Sequence, residues 1–272
     1  MDPATIIGII LAFGSVVAMV TMEGAHLSSL LLPAPMVLVF GATIAVGIAS
    51  GTIKDFLTAV KSLPRAFRGK IEPPQQVIDQ VVGLAEKARA NGLLAMEQEA
   101  ENVDDPFLKR ALQNIADGTD GDELRVLLED EIATRSKKDR VAAKFFSALG
   151  GYAPTIGIIG TVVSLTHVLE NLADPGELGP LIASAFVATL WGLLSANFLW
   201  LPLGARLRRL SELDVERMNL LMEGVLAVQS GSQPRLLGER LRAMIPGGDA
   251  DKSGAKPAKA ARRSKDPVEE AA

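Results

Sequence analysis

The chain has 272 residues, of which 48% are hydrophobic, and its mean hydropathy is +0.25. A soluble domain of this size is rarely so apolar, because it must cover its surface with polar groups. The absence of cysteine excludes disulfides and thiolate metal sites, two histidines are too few for a histidine metal site, and a net charge of −4 gives no reason to expect nucleic acid.

Four stretches of the chain contain no Asp, Glu, Lys or Arg, and they are separated by polar segments. They are residues 4–22, 27–53, 145–169 and 178–205. A membrane-spanning helix needs about 20 consecutive apolar residues, and each stretch provides about that many or more. The sequence therefore predicts an all-α membrane protein with four transmembrane helices.

The distribution of Lys and Arg predicts the orientation of these helices. Basic residues follow the second stretch, precede the third and follow the fourth, whereas the short connections 23–30 and 170–177 contain none. Basic flanks stay on the cytoplasmic side of a membrane. We therefore expect a multi-pass protein of the cytoplasmic (inner) membrane whose N and C termini are cytoplasmic, with a large cytoplasmic segment between helices 2 and 3.

The cytoplasmic segment has the pattern of a helical domain. Pro73 and Pro74 can begin a helix that ends near Gly92, Asp105 is a capping residue before Pro106, and a further helix starts near Asp122. The predicted units are transmembrane helices 1 and 2 (1–53), the cytoplasmic helical domain (54–144), transmembrane helices 3 and 4 (145–205), an amphipathic helical extension (206–246) and a disordered tail (247–272).

The third and fourth spans combine an absence of charge with many small and hydroxyl residues. Ion-translocating proteins usually carry an ionisable group inside the membrane, so this chain either moves no ions or relies on a partner's carboxylate. Residues such as Gly157, Thr161 and Thr189 allow close helix packing or can line a wet cavity, and composition leaves both readings open. Pro154 and Pro202 each leave a backbone carbonyl without its helical hydrogen bond. Each proline can be a simple kink or a hinge.

Several motifs, in their order along this topology, resemble the MotA/TolQ/ExbB family. They are Phe40-Gly41-Ala42-Thr43, the third-span run from Pro154 to Val162, Ala188-Thr189-Leu190-Trp191-Gly192, and the run from Met222 to Gly231. The resemblance covers about residues 1–245. Two spans before the cytoplasmic domain favour the MotA branch, the flagellar stator subunits. An ExbB/TolQ-like energiser of outer-membrane processes is the alternative.

The resemblance implies a motor subunit with no enzymatic activity and no cofactor. Family members form a homo-oligomer, thought to be a pentamer, around a MotB-like single-span subunit that is anchored to peptidoglycan and carries the ion-binding Asp. Ion flow then drives torque on the rotor protein FliG. The ion pathway would include Pro154, Thr161, Thr189 and Pro202. The rotor-binding charges would be Lys109, Arg110, Asp120, Glu123, Glu129 and Glu131.

The same resemblance favours H⁺ over Na⁺ as the transported ion. Sodium-driven relatives tend to carry two successive threonines in the fourth span, and here the pair is Ala188-Thr189. Sodium needs several oxygen ligands in place of its hydration shell, whereas a proton needs a carboxylate and a chain of waters. A membrane enzyme is disfavoured, since the sequence shows no nucleophile–base pair, metal cluster or Gly-rich phosphate loop.

Overall fold

The computed structural model describes residues 4–173 and 175–245, and within these ranges every regular element is helical. This confirms the all-α prediction for the described part of the chain. The segment predicted as a disordered tail, 247–272, lies outside the described residues. The α-helices are α1 (Ala4–Met22), α2 (Pro33–Met36), α3 (Thr43–Ala49), α4 (Ile53–Arg68), α5 (Pro74–Asn91), α6 (Ala95–Glu101), α7 (Pro106–Ala116), α8 (Gly121–Glu170), α9 (Pro175–Leu194), α10 (Leu201–Gln229) and α11 (Pro234–Ala243).

Three helical segments are long and apolar enough to cross a membrane: α1, α8 and the continuous run Leu178–Gln229, in which a π-helical segment (Ser195–Trp200) joins α9 to α10. The second predicted span is a shorter apolar helix, Pro33–Ala49. It consists of α2, a π-helical segment (Val37–Ala42) and α3. The helix begins only at Pro33 because a proline favours the first helical turn, and a 3₁₀ turn precedes it.

Two very long helices run through the predicted domain boundaries. Helix α8 has 50 residues and is therefore about 75 Å long. It begins at Gly121, where the Asp120 side chain accepts a hydrogen bond from the backbone N–H of Asp122 at 2.9 Å. The change from polar to apolar composition at 144/145 does not interrupt this helix, and neither does Pro154. Helix α10 likewise passes through the boundary at 205/206.

The helices of the predicted cytoplasmic domain follow local sequence signals. Helix α5 ends before Gly92, whose φ of +83° suits glycine, and Asp105 caps α7 by accepting N–H bonds from Phe107 and Leu108 at 2.8 and 3.0 Å. Helices α4 and α6 were not predicted individually, and α11 is a separate helix within the predicted helical extension 206–246. Helix α4 starts at a capping box formed by Thr52 and Asp55.

The buried apolar side chains form two clusters. The larger one joins α5, α6, α7 and α11 to the N-terminal part of α8 and the C-terminal part of α10, and it includes Ile78, Met96, Leu108, Leu112, Leu124, Leu128, Leu221 and Leu241. The smaller one packs α4 against α8 and α10 through Ala59, Ala66, Phe145, Phe146, Leu149, Leu203 and Leu207. The two long helices thus belong to both clusters and connect them.

Candidate ion-pathway site between α8 and α9

Helices α8 and α9 pack backbone against backbone at two glycines. A Cβ atom added to Gly157 would lie 2.9 Å from the Ala188 carbonyl oxygen, and one added to Gly192 would lie 2.7 Å from the Ala153 carbonyl oxygen. Neither carbonyl can rotate away as a side chain would. The glycines are therefore required for this close approach, as in other membrane helix pairs.

Just beyond this contact, the structure brings the two predicted threonines together. The hydroxyl oxygens of Thr161 and Thr189 are 2.5 Å apart, and the Thr161 hydroxyl is also 2.9 Å from the Ala185 carbonyl and 3.2 Å from the Gly157 carbonyl. Each hydroxyl has one proton to donate. A consistent arrangement is that Thr189 donates to Thr161, which donates to Ala185.

This arrangement leaves a lone pair on the Thr189 oxygen free to accept a hydrogen bond. Both threonines are half-buried, so a group from outside the helix pair can approach them. No carboxylate, lysine or arginine accompanies them, because residues 145–169 and 178–205 contain no Asp, Glu, Lys or Arg. The site can therefore orient a protonated carboxyl or a water molecule, but it provides no titrating group of its own.

The two predicted prolines lie in different places. Pro154, Gly157 and Thr161 are spaced i, i+3 and i+7 and so share one stripe of α8. Pro202 instead follows the π-helical segment Ser195–Trp200 and is 13 residues beyond Thr189, about 20 Å along the helix. It borders a cavity of about 420 Å³ with Thr5, Gly8, Ile9, Ala12, Asn197, Phe198 and Arg206. Pro202 thus belongs to the contact with α1, not to the threonine pair.

Sequence reasoning missed the aromatic contacts of the shorter apolar helix. The Trp191 indole N–H donates to the Leu30 carbonyl at 2.6 Å. The ring of Phe40, in one π-helical segment, lies 5.8 Å from the Trp191 ring and 6.4 Å from the ring of Trp200, which is in the other. Such segments are frequent at functional sites. Sequence periodicity does not indicate the π-helical segments, because such a segment adds a residue to the helical turn without changing the composition.

Thr43, the last residue of the Phe40-Gly41-Ala42-Thr43 motif, has an unusual position in the structure. It is fully buried in α3, and its hydroxyl oxygen has no hydrogen-bond partner among the described residues. A buried hydroxyl without a partner is costly unless water or another chain provides one. The sequence signal that could have indicated this position is a threonine that belongs to a motif within an apolar helix.

The six predicted rotor-binding charges lie on α7, on α8 and at the start of α8. Arg110 forms an ion pair with Glu131, which joins the two helices. Asp120 is the cap of α8, and Glu129 is 3.8 Å from Arg125 within the same helix. Lys109 is half-buried and Glu123 is exposed. Four of the six, Arg110, Asp120, Glu123 and Glu129, are exposed.

Asp105 combines its capping role with an ion pair to α10. Burial alone would raise the pKa of Asp105, but the N–H groups of Leu108 and Phe107 and the guanidinium of Arg217 hold this pKa below its usual value. Arg217 lies 2.5 Å from the Asp105 carboxylate, which in turn raises the pKa of Arg217 although burial opposes it. Both groups are charged at neutral pH, so the pair fixes the start of α7 against α10.

The chain matches two family models over most of its described length. Residues 6–92 match motility protein A N-terminal, and residues 99–220 match the MotA/TolQ/ExbB proton channel family. Motility protein A of Bacillus subtilis (strain 168) is 33% identical over 254 residues, which cover 92% of this chain and 93% of that protein.

Two solved structures have the same fold. A C. jejuni MotAB structure superposes with a TM-score of 0.87 at 26% identity and covers 93% of this chain and 100% of that chain. The flagellar MotAB stator complex from Bacillus subtilis superposes with a TM-score of 0.82 at 32% identity and covers 92% of this chain and 99% of that chain. The helix order and the α8–α9 contact described above therefore belong to a fold seen in solved stator complexes.

Proposed function

We propose the following function from the fact that this chain belongs to the MotA/TolQ/ExbB proton channel family. It is the flagellar stator subunit that, together with a MotB-like partner, converts ion flow into torque. The observation that carries this proposal is the Thr161–Thr189 hydroxyl pair in two spans that contain no Asp, Glu, Lys or Arg. A hydroxyl pair without a carboxylate needs one from another chain to bind the ion, and the MotB-like subunit is the proposed source.

The ion pathway that we propose runs along the stripe of Pro154 and Thr161 on α8 and past Thr189 on α9. There the free lone pair of Thr189 accepts a hydrogen bond from the partner's protonated carboxyl. Pro202 lies farther along, where a change in the π-helical segment would alter the contact with α1. The driving force is the membrane potential, worth about 2.3 kcal/mol per elementary charge per 100 mV.

We propose four spans in the inner membrane, with both termini and the helical domain in the cytoplasm. The positive-inside distribution of Lys and Arg supports this orientation, and the shorter helix Pro33–Ala49 is then the second span. The subunits would form a ring, a pentamer by family resemblance, around the partner. The largely exposed apolar surface of α1 and the outer face of α8 are consistent with contacts to lipid and neighbouring copies.

H⁺ is the proposed ion. Among the described residues, the α8–α9 contact brings together the hydroxyl oxygens of Thr161 and Thr189, and Ala188 occupies the position before Thr189. Two hydroxyls suffice to orient a carboxyl, whereas Na⁺ would require further oxygen ligands. Torque would be delivered to FliG through the exposed charges of α7 and α8, chiefly Arg110, Asp120, Glu123 and Glu129.

The test is complementation of a strain that lacks both stator subunits. Expression of this chain with its partner should restore swimming, and this chain alone should not. Swimming speed at constant membrane potential should be the same with and without sodium. Liposomes that contain only this chain should hold a proton gradient. A steady leak without the partner would contradict the role assigned to the partner's carboxylate, and a strict sodium requirement would contradict the choice of H⁺.

The alternative, an ExbB/TolQ-like energiser, has less support. The match of residues 6–92 to motility protein A N-terminal covers the two helices that precede the cytoplasmic domain. Restored swimming would separate the two functions directly. We propose no enzymatic activity, in line with relatives that are motility proteins.

A further inference from the structure

A buried carboxylate, Asp214 of α10, lies among three arginines. The Asp214 oxygens are 3.0 Å from Arg65 of α4, 3.2 Å from Arg135 of α8 and 3.3 Å from Arg217 of α10 itself. Only 3% of Asp214 is exposed. Arg65 uses its other terminal nitrogen for Asp139 of α8, at 2.5 Å. We refer to Arg65, Arg135, Asp139, Asp214 and Arg217 as the Asp214 cluster.

The Asp214 cluster lies where the helices leave their apolar stretches. Asp139 precedes residue 145 by six positions and Asp214 follows residue 205 by nine, so both are about 9–14 Å along their helices from these stretches. Helix α4 comes directly after the shorter apolar helix. The cluster thus ties together three chain segments that connect the membrane part to the cytoplasmic domain.

The geometry of the cluster is directional. Arg65 reaches two acidic residues on two different helices with the two arms of one guanidinium, an arrangement that lysine cannot reproduce. Apolar contacts, such as those of the smaller cluster beside it, are non-directional. Charge-assisted hydrogen bonds of this kind fix the helices in one register.

Ion pairs around a buried carboxylate are not explained by stability alone. Well-packed apolar side chains of similar volume often stabilise a protein as much as, or more than, a buried ion pair, because desolvation offsets the attraction between the charges. The neighbouring surface pair Arg208–Glu212 lies within α10 and joins nothing else. The feature that distinguishes the Asp214 cluster is its connection of α4, α8 and α10.

We propose that Asp214, together with Arg65 and Asp139, forms a positioning cluster that fixes α4, α8 and α10 against one another, so that force produced in the spans reaches the cytoplasmic domain without slip. This inference rests on the proposed function of the chain as a torque generator. None of these residues contacts the ion pathway. Their role is mechanical, and it should become visible only when the motor works against a load.

The decisive variant is Arg65→Lys, which keeps the positive charge but not the two-armed contact. We expect torque per stator unit at high load, measured with large beads on filament stubs, to fall about twofold or more. Speed with small beads, near zero load, should stay at the wild-type value. The number of fluorescently tagged stator units per motor should also stay unchanged.

Arg68→Lys is the matched control, since Arg68 is on the same helix, is exposed and forms no ion pair among the described residues. Arg208→Gln is a second control, because it removes an ion pair that joins no helices. Both controls should give wild-type torque at every load. Asp214→Asn should repeat the high-load defect more strongly, and if that variant fails to assemble, Arg65→Lys decides the question alone.

Two results would overturn the inference. The first is wild-type torque for Arg65→Lys at all loads. The second is a loss that is equal at all loads and follows a smaller number of stator units, which would make the cluster an assembly feature only. The wild-type chain in the same strain tests the proposed function separately. If it restores rotation while Arg65→Lys changes nothing, the inference fails and the proposed function stands.

Discussion

Gly157→Ala tests whether the close approach of α8 and α9 positions the threonine pair. The new methyl group would lie 2.9 Å from the Ala188 carbonyl oxygen and 3.2 Å from the Cα atoms of Thr189 and Gly192, whereas ordinary contact begins at 3.4 Å. All three neighbours are backbone atoms. Helix α9 must therefore retreat by about 0.5 Å, because a packed interior has no space to absorb the methyl group.

A shift of this size reaches the hydroxyl groups. The distance from the Thr161 hydroxyl to the Ala185 carbonyl would increase from 2.9 Å to about 3.4 Å, beyond the usual O–H···O range. Overpacking of this kind costs about 1–3 kcal/mol. The gain in helix propensity from Gly to Ala, about 0.8–1 kcal/mol, offsets part of that cost.

Gly151→Ala is the matched control. Gly151 lies on the same helix as Gly157, and a Cβ atom added there would meet nothing within 4 Å. Both variants gain the same propensity, so the difference between them isolates the packing cost of about 1–3 kcal/mol. We expect lower thermal stability in detergent and weaker swimming for Gly157→Ala than for Gly151→Ala. Equal stability and equal swimming of the two variants would refute the reasoning.

The remaining predictions concern three side chains. Thr189→Val should lower ion-driven swimming, with a loss of about 0.5–1.5 kcal/mol for the missing hydrogen bond, whereas Thr189→Ser should retain it in a swimming assay. Pro154→Leu should abolish swimming while immunoblots show a normal amount of protein in the membrane. Leucine is favoured in a helix, but its backbone N–H would occupy the carbonyl that proline leaves free. Asp105→Asn keeps the cap but loses the charge. Since the folded pKa of Asp105 is lowered, its stabilisation is present above about pH 4 and is lost as pH falls through the folded value, so circular dichroism should show a shallower acid limb for the variant.

Local signals in the sequence were sufficient to predict several helix starts. Asp105 before Pro106 and the proline pair at Pro73 each act within one turn, so the starts of α7 and α5 could be predicted from a few residues. Helix α4 was missed because its lysines and arginines were interpreted only as markers of orientation. Its apolar face, which includes Ala59 and Ala66, is as regular as that of the predicted helices.

Contacts between distant residues could be predicted only where a family motif marked them. Thr161 and Thr189 were selected from motifs, but their 2.5 Å contact depends on the packing register set by Gly157 and Gly192, which no single helix encodes. The Asp214 cluster had no such marker. Its members are far apart in sequence, and an arginine such as Arg65 on a charged helix looks like an ordinary solvated residue until the three helices are assembled.

The continuity of α8 has a consequence for insertions and deletions. The exposed charges near Glu123 and the stripe from Pro154 to Thr161 lie on one uninterrupted helix, so their angular relation is set by the number of residues between them. Removal of one residue turns one face by 100° relative to the other and shortens the rod by 1.5 Å. Removal of seven residues restores the angle to within about 20° and shortens the rod by about 10 Å. Length variation in this stretch should therefore be less harmful in heptads than in single residues, a periodic constraint that adds to the contacts of Arg135 and Asp139 with the neighbouring helices.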